Sequence, residues 1–254
     1  MTQPLNEQNP WQGNWDRIIA ATRAVSERLQ RCTQLFHDAG IGYALVGGRA
    51  TMAWIDSVEP GASRNTPNVD FLVNRADLFR ITQTLLQDKW THREPAGWHV
   101  FIESENVSSY GGVKLIFANE QFRSGELLPA PSIEESRIIE CCRVIDLEPL
   151  VRMKLTAFRR IDRVHLDDLL SVQLFDPSWT NRFPPEFTSR LVQVFDAHEV
   201  WPDVYVDALA AAGFQSDQEL VEFQQRCRQS DSHKLNTLPW FLARENAHEK
   251  VRVA

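Results

Sequence analysis

The chain is predicted to adopt an α/β fold: a mixed β-sheet packed by helices over residues 1–146, followed by a helical region over residues 147–254. Three features carry that prediction. Short apolar runs bounded by glycines mark buried strands in the first part, as at Tyr43 to Val46. The stretch Asn68 to Val73 alternates, with Val69, Phe71 and Val73 on one face and Asn68, Asp70 and Leu72 on the other. After Asp146 the strand signals stop and segments of helical period follow one another.

In chain order, residues 1–13 read as a flexible polar lead. From Trp15 to Ala39 the apolar residues Ile18, Ala21, Val25, Leu29, Cys32 and Phe36 recur at helical spacing, and Gly40 is a natural stop. Tyr43 to Val46 is a strand ending at Gly47-Gly48, and Ala50 to Ile55 restarts as a helix. Val58 to Pro67, rich in Pro, Gly, Ser and Asn, is a loop before the alternating strand. Ala76 to Leu86 returns to helical period. Trp98 to Ile102 and Val113 to Phe117 form a hairpin across SENVSSYGG, and Arg143 to Ile145 is a last short strand after a loop at Pro129 to Glu135. EPLVRMKLTAFRR, DRVHLDDLLSVQLF and PPEFTSRLVQVF are then amphipathic helices, the last with Pro at its start. Residues 196–228 read as two further helices, and the polar tail carries an isolated Leu-Pro-Trp-Phe patch.

Composition narrows the function classes. A chain of 254 residues with 43% hydrophobic and 24% charged residues has the make-up of a soluble globular protein. Its net charge of −7 argues against general affinity for duplex nucleic acid, which needs a basic face, but leaves room for a small phosphorylated ligand. No apolar stretch reaches the roughly 20 residues of a membrane helix. The start has neither the basic end nor the apolar core of a signal peptide, so a cytoplasmic location is expected. Cys32, Cys141, Cys142 and Cys227 form no Cys-x-x-Cys pair and have no histidine at zinc-ligand spacing. Adjacent Cys141-Cys142 reads as a half-buried pair of reduced thiols, with a redox pair as the other reading.

Two patterns point to chemistry. A glycine pair between a strand and a helix lets a phosphate approach the backbone, because no Cβ intervenes and the helix start presents free N–H groups; a tight turn is the structural alternative. Polar residues at i and i+2 of the next strand, Asn68 and Asp70, project from one face and have the geometry to offer oxygens to Mg²⁺.

The order glycine pair, helix, Arg-x-Thr, strand with two polar positions resembles the nucleotidyltransferase superfamily, and most closely the AbiEii-like nucleotidyltransferases, some of which are toxins of toxin–antitoxin and phage-defence systems. The residues that carry the resemblance are Gly47-Gly48, then Arg64-Asn65-Thr66-Pro67-Asn68-Val69-Asp70, Lys114 in GGVKLIF, and Lys154-Leu155-Thr156-Ala157 leading into Asp162 and HLDDLL. It spans roughly residues 15–195. The resemblance implies a nucleotidyltransferase-like sheet and transfer of a nucleoside monophosphate from a nucleoside triphosphate to a hydroxyl acceptor. Gly47, Gly48, Arg64, Thr66 and Lys154 fall at nucleotide- or phosphate-binding positions, Asn68 and Asp70 at catalytic ones, and Asp70 at a metal ligand. An antitoxin-like protein is the implied partner.

Two positions depart from the family. Asn68 stands where the first aspartate belongs, and Lys114 where polymerase-like members carry a third carboxylate. Asn68 contributes no charge to offset dehydration of Mg²⁺, and Lys114 brings a cation to a cation site. The expectation is therefore a pseudoenzyme with impaired or lost metal-dependent catalysis. Mg²⁺ is its cofactor if it is active, and no cofactor is expected otherwise. Lys114 then takes the place of the metal's charge beside Asp70. If transfer persists, Glu103 or Glu120 is the carboxylate to suspect. The alternative function is a non-catalytic nucleotide- or protein-binding scaffold. Lys154 is read either as reaching the cleft or as a lysine snorkelling to solvent. Arg159, Arg160, Asp162, Asp167 and Asp168 are read as a solvated, mutually paired helix surface, with His165 structural.

Overall fold

In the computed structural model, residues 12–62, 66–103, 111–121 and 126–198 are described, with side chains from residue 19 onward. The loop residue Arg64, the further helices expected beyond residue 198, Cys227 and the Leu-Pro-Trp-Phe patch lie outside the described residues. The chain divides into two compact units, Met1–Ser124 with Pro129–Leu150, and Gly125–Leu128 with Val151–Ala254.

The first unit is built on a seven-stranded mixed sheet of order β3-β4-β5-β2-β1-β7-β6. Helix α1 (Gln12–Asp38) buries Val25, Leu29, Cys32 and Phe36, one stripe of its surface. It stops where expected. Gly40 adopts φ +62, its N–H reaches the His37 carbonyl at 3.0 Å, and the Ile41 N–H reaches the Phe36 carbonyl at 2.8 Å. This closes the helix with a left-handed glycine and satisfies two carbonyls that would otherwise be orphaned.

Strand β1 (Tyr43–Val46) runs directly into α2 (Gly47–Val58), so the helix begins at the glycine pair, three residues earlier than its apolar period indicates. β1 pairs antiparallel with β2 (Val69–Val73), opposing Val46 to Asp70, and parallel with β7 (Cys142–Ile145) through Leu45 and Val144. On the other side β2 pairs parallel with β5 (Val113–Phe117), setting Asp70 beside Lys114. The expected hairpin is present, β4 (Val100–Ile102) lying antiparallel to β5. Gly112 is needed there, since a Cβ would stand 2.8 Å from the Phe101 carbonyl oxygen. Phe71 points to the face covered by α1, where its ring meets Phe36 at 5.2 Å and Tyr43 at 5.3 Å. Asp70, one residue away, points to the opposite face. Helix α3 (Leu78–Gln87) buries Ile81 and Leu85.

Two strands were not anticipated: β3 (Thr91–Arg93) and β6 (Ser136–Ile139). They are the two edges of the sheet. A strand paired on one side only, with much of its surface exposed, has no need of the buried apolar run by which interior strands are recognised.

In the second unit α4 (Leu147–Ala157) crosses the division between the units, and α5 (Arg160–Ser171) and α6 (Pro185–Ala197) follow. A short 3-10 turn, Pro177–Arg182, links the last two. Phe175, Trp179, Phe183, Phe187 and Phe195 pack as a run of ring contacts 5.7 to 6.3 Å apart. Arg190 donates to the carbonyls of Leu155 and Thr156 at the open end of α4. The fold is α/β, a mixed sheet with helices and a helical C-terminal part.

Candidate functional site

The antiparallel register of β1 and β2 brings the end of one strand against the start of the other, and this creates the site. Gly47 adopts φ +69, and a Cβ there would overlap the Asp70 Oδ2 and lie 3.0 Å from its carboxyl carbon. Glycine at 47 is thus required twice, by a left-handed backbone and by the close seating of a carboxylate. At Gly48 a Cβ would stand 2.9 Å from the Thr66 Oγ1. The side chains of Asp70 and Thr66 therefore occupy the space that the two glycines leave open. A carboxylate at the first turn of α2 is also in the favourable position for the helix dipole. Thr51 closes the turn from inside by donating its hydroxyl to the Gly47 carbonyl at 3.0 Å.

Asn68 shares its face with Asp70, and its side-chain oxygen accepts the Gly111 N–H at 2.8 Å. The amide thereby ties the start of β2 to the start of β5. Lys114 stands in register with Asp70, but its ammonium lies over the Trp98 ring, 4.2 Å from the centroid. Among the described residues it makes no ion pair. Asp70, Asn68, Thr66, Gly47, Gly48 and Lys114 all belong to the first unit and cluster where β1, β2 and β5 meet.

Lys154 belongs to the second unit and is buried, which corrects the reading of it as a snorkelling surface lysine. Its ammonium donates to the His165 Nδ1 at 2.7 Å, which puts the imidazole proton on Nε2, and stands 3.5 Å from the Asp162 Oδ1. Asp162 is 1% exposed and so is no part of a solvated surface. It accepts from the Arg159 N–H at 3.1 Å and the Arg159 Nε at 2.7 Å, capping the first turn of α5. Burial opposes its ionisation, but the Arg159 hydrogen bonds and the Lys154 charge outweigh that and hold its carboxyl below the usual carboxylate range.

The two reserve carboxylates are both engaged by arginines. Glu103 accepts from the Arg28 Nε at 3.2 Å and Nη2 at 3.0 Å. Glu120 takes a forked pair from Arg75 at 2.6 to 2.8 Å, which lowers its pKa. Arg28 is the residue that the sequence reading missed. It is 8% exposed, and its Nη1 also reaches the Pro67 carbonyl at 3.4 Å, so α1 steadies the residue that precedes Asn68. An arginine one turn above Cys32 on an otherwise buried stripe was the available signal.

Among the described residues no group of three or more His, Cys, Asp or Glu side chains is placed to hold a metal ion. At the β1–β2 junction the described residues supply one carboxylate, the neighbouring amide oxygen already accepts a hydrogen bond, and a lysine stands in register alongside. That donor set does not fit Mg²⁺, which takes several oxygens in near-octahedral geometry.

No family model and no curated protein matches the chain. Among solved structures it is similar to the solution structure of the antibiotic-resistance factor ANT(2'')-Ia, at 10% identity and a TM-score of 0.37, over 91% of this chain and 99% of that one. A likeness of that size bears on neither substrate nor reaction.

Proposed function

We propose that the chain is a nucleotidyltransferase-fold protein of the AbiEii-like type in which metal-dependent transfer of a nucleoside monophosphate to a hydroxyl acceptor is impaired or lost. The observation that carries the reading is the carboxylate of Asp70 seated on Gly47, at the junction where the family pattern places its glycine pair and its acid. The impairment rests on the donor set around that carboxylate. Asn68 is neutral and its oxygen is engaged, and Lys114 is the nearest in-register neighbour of Asp70 on β5. A phosphorylated ligand at this place would meet the N–H groups of the first turn of α2, with the Thr66 hydroxyl from the loop that leads into β2, once Asp70 had yielded space. The partner on this reading is an antitoxin-like protein.

Calorimetry with Mg²⁺ and each nucleoside triphosphate in turn, beside a transfer assay, tests the reading. The wild type is expected to bind Mg²⁺ no better than an isolated surface carboxylate and to show no transfer. Asn68→Asp combined with Lys114→Asp is expected to create measurable divalent-cation affinity. Robust Mg²⁺-dependent transfer by the wild type, abolished by Asp70→Ala, would overturn it. A protein that binds a nucleotide without Mg²⁺ and transfers nothing would be the non-catalytic scaffold, with the impairment upheld.

A further inference from the structure

The turn between β6 and β7 places two thiols side by side. Ile139 pairs with Cys142, so Glu140 and Cys141 alone make the turn, and Glu140 takes φ +53 to do so. Both cysteines are free, Cys141 exposed and Cys142 half-buried. The two side chains interact across the turn, and that interaction favours the protonated Cys142 thiol. Burial and the neighbouring Cys141 push the Cys142 thiol up to about 11.

Positive charge is at hand. Arg49, in the first turn of α2, is near enough for its charge to act on Cys142, and its buried Nε finds no hydrogen-bond partner among the described residues. It makes no ion pair with a described carboxylate. Cys32 provides the contrast. It is fully buried, and burial pushes its thiol far up, so it is shielded from reagents in water.

We propose that Cys141 and Cys142 form a thiol–disulfide exchange site at the tip of the β6–β7 hairpin, taking small anionic disulfides as its co-substrate. In the first step the Cys141 thiolate attacks one sulfur of the small disulfide. A Cys141–sulfur bond forms, the disulfide bond breaks, and one small thiolate leaves. In the second step Cys142 gives its proton to solvent, attacks the Cys141 sulfur and expels the second small thiolate. Two protein thiols are oxidised by two electrons, and one small disulfide is reduced to two thiols, which take up the two protons. The order follows from exposure: Cys141 is reachable and Cys142 is not fully so. The second step is slow near neutral pH because little Cys142 is thiolate.

The product is easily reversed. Adjacent Cα atoms stand about 3.8 Å apart, closer than the separation a relaxed disulfide spans. The ring formed between neighbours is therefore strained and is reduced again by excess thiol. The turn that presents the pair holds Glu140 at a positive φ, a conformation disfavoured for a non-glycine residue.

The test uses the full-length chain with Cys227→Ser, treated with oxidised glutathione and followed by intact mass and peptide mapping. The expected course is one glutathione on Cys141, appearing first and then lost as the mass falls to two hydrogens below the starting chain. Raising the pH should speed the second step about tenfold per unit below the Cys142 pKa. Cys142→Ser should trap the adduct at one per chain, and Cys141→Ser should abolish reaction. Excess reduced glutathione should restore the starting mass. An adduct on the wild type that persists as it does on Cys142→Ser would overturn the proposal. So would modification at Cys142 in place of Cys141, or no reaction at all under conditions that modify the urea-unfolded chain.

Discussion

Gly47→Ala isolates the contact that defines the β1–β2 junction. The new methyl group has two costs. The backbone at position 47 has φ +69, and a left-handed conformation costs a non-glycine residue about 1–2 kcal/mol. The methyl also overlaps the Asp70 carboxylate, whose carboxyl carbon would lie 3.0 Å away, and overpacking of this kind costs about 1–3 kcal/mol. The single change should therefore destabilise by about 2–5 kcal/mol, the sum of these two terms. In an Asp70→Ala background the offending oxygens and carboxyl carbon are gone and a contact to the Asp70 Cβ at 3.1 Å remains. There Gly47→Ala should cost the backbone part and a small remainder of the overlap, leaving a coupling of about 1–3 kcal/mol. Urea unfolding followed by circular dichroism supplies the four stabilities. Gly61→Ala is an internal control, because φ is +87 and, among the described residues beyond its chain neighbours, no atom lies within 4 Å of its Cβ, so it reports backbone strain. If Gly47→Ala and Asp70→Ala add within about 0.5 kcal/mol, the carboxylate does not sit on Gly47 and the junction has been misread.

Other perturbations separate buried from exposed charge. Asp162→Asn should cost about 3–5 kcal/mol at neutral pH by leaving Lys154 buried without its carboxylate. Because the folded pKa of Asp162 is depressed, its contribution is complete above the usual carboxylate pKa of about 4 and is lost as pH falls through the lower folded value. Wild type and Asp162→Asn should therefore converge in urea midpoint below about pH 4 and stay apart above it. Arg28→Ala should cost about 1.5–3 kcal/mol from its bonds to Glu103 and Pro67, read as a urea midpoint shift without a change of slope. Glu120→Gln, at a pair whose side chains are 53% and 37% exposed, should change stability by less than about 1 kcal/mol and lose even that in high salt.

The interior of the sheet was legible because each of its strands has to bury a face. The apolar run Tyr43 to Val46 and the alternation from Asn68 to Val73 both appear where expected, and the period of α1 found its buried stripe and its glycine stop. Helix α2 starts at the glycines because Gly47 departs from helical φ while its carbonyl already accepts from Thr51, a detail that periodicity cannot register. The relation of Asp70 to Lys114 was readable once the strands were known to be neighbours, yet the direction of the ammonium was not. Trp98, sixteen residues earlier in the chain, supplies an aromatic face that competes for it. The burial of Asp162 was hidden for a similar reason. A string of Arg and Asp on a helix reads as solvated unless one knows that Lys154 lies opposite, and α4 is a separate element.

The central position of β1 has a consequence for how the chain is made. Leu45 pairs on one side with Phe71, close behind it in the chain, and on the other with Val144, far downstream. At translation rates of about 5–20 residues per second, β1 therefore waits roughly 5–20 s on the ribosome with one flank unpaired. During that interval Tyr43-Ala44-Leu45-Val46 is a temporary edge, wholly apolar but for the tyrosine hydroxyl and without a charge to discourage pairing with another nascent chain. The β6–β7 hairpin ends it by arriving as a preassembled pair whose inner strand covers β1 and whose outer strand, bearing Arg137, becomes the permanent border. Transcripts cut short before residue 142 should for this reason yield aggregating chains, while those that reach residue 150 should carry a finished sheet.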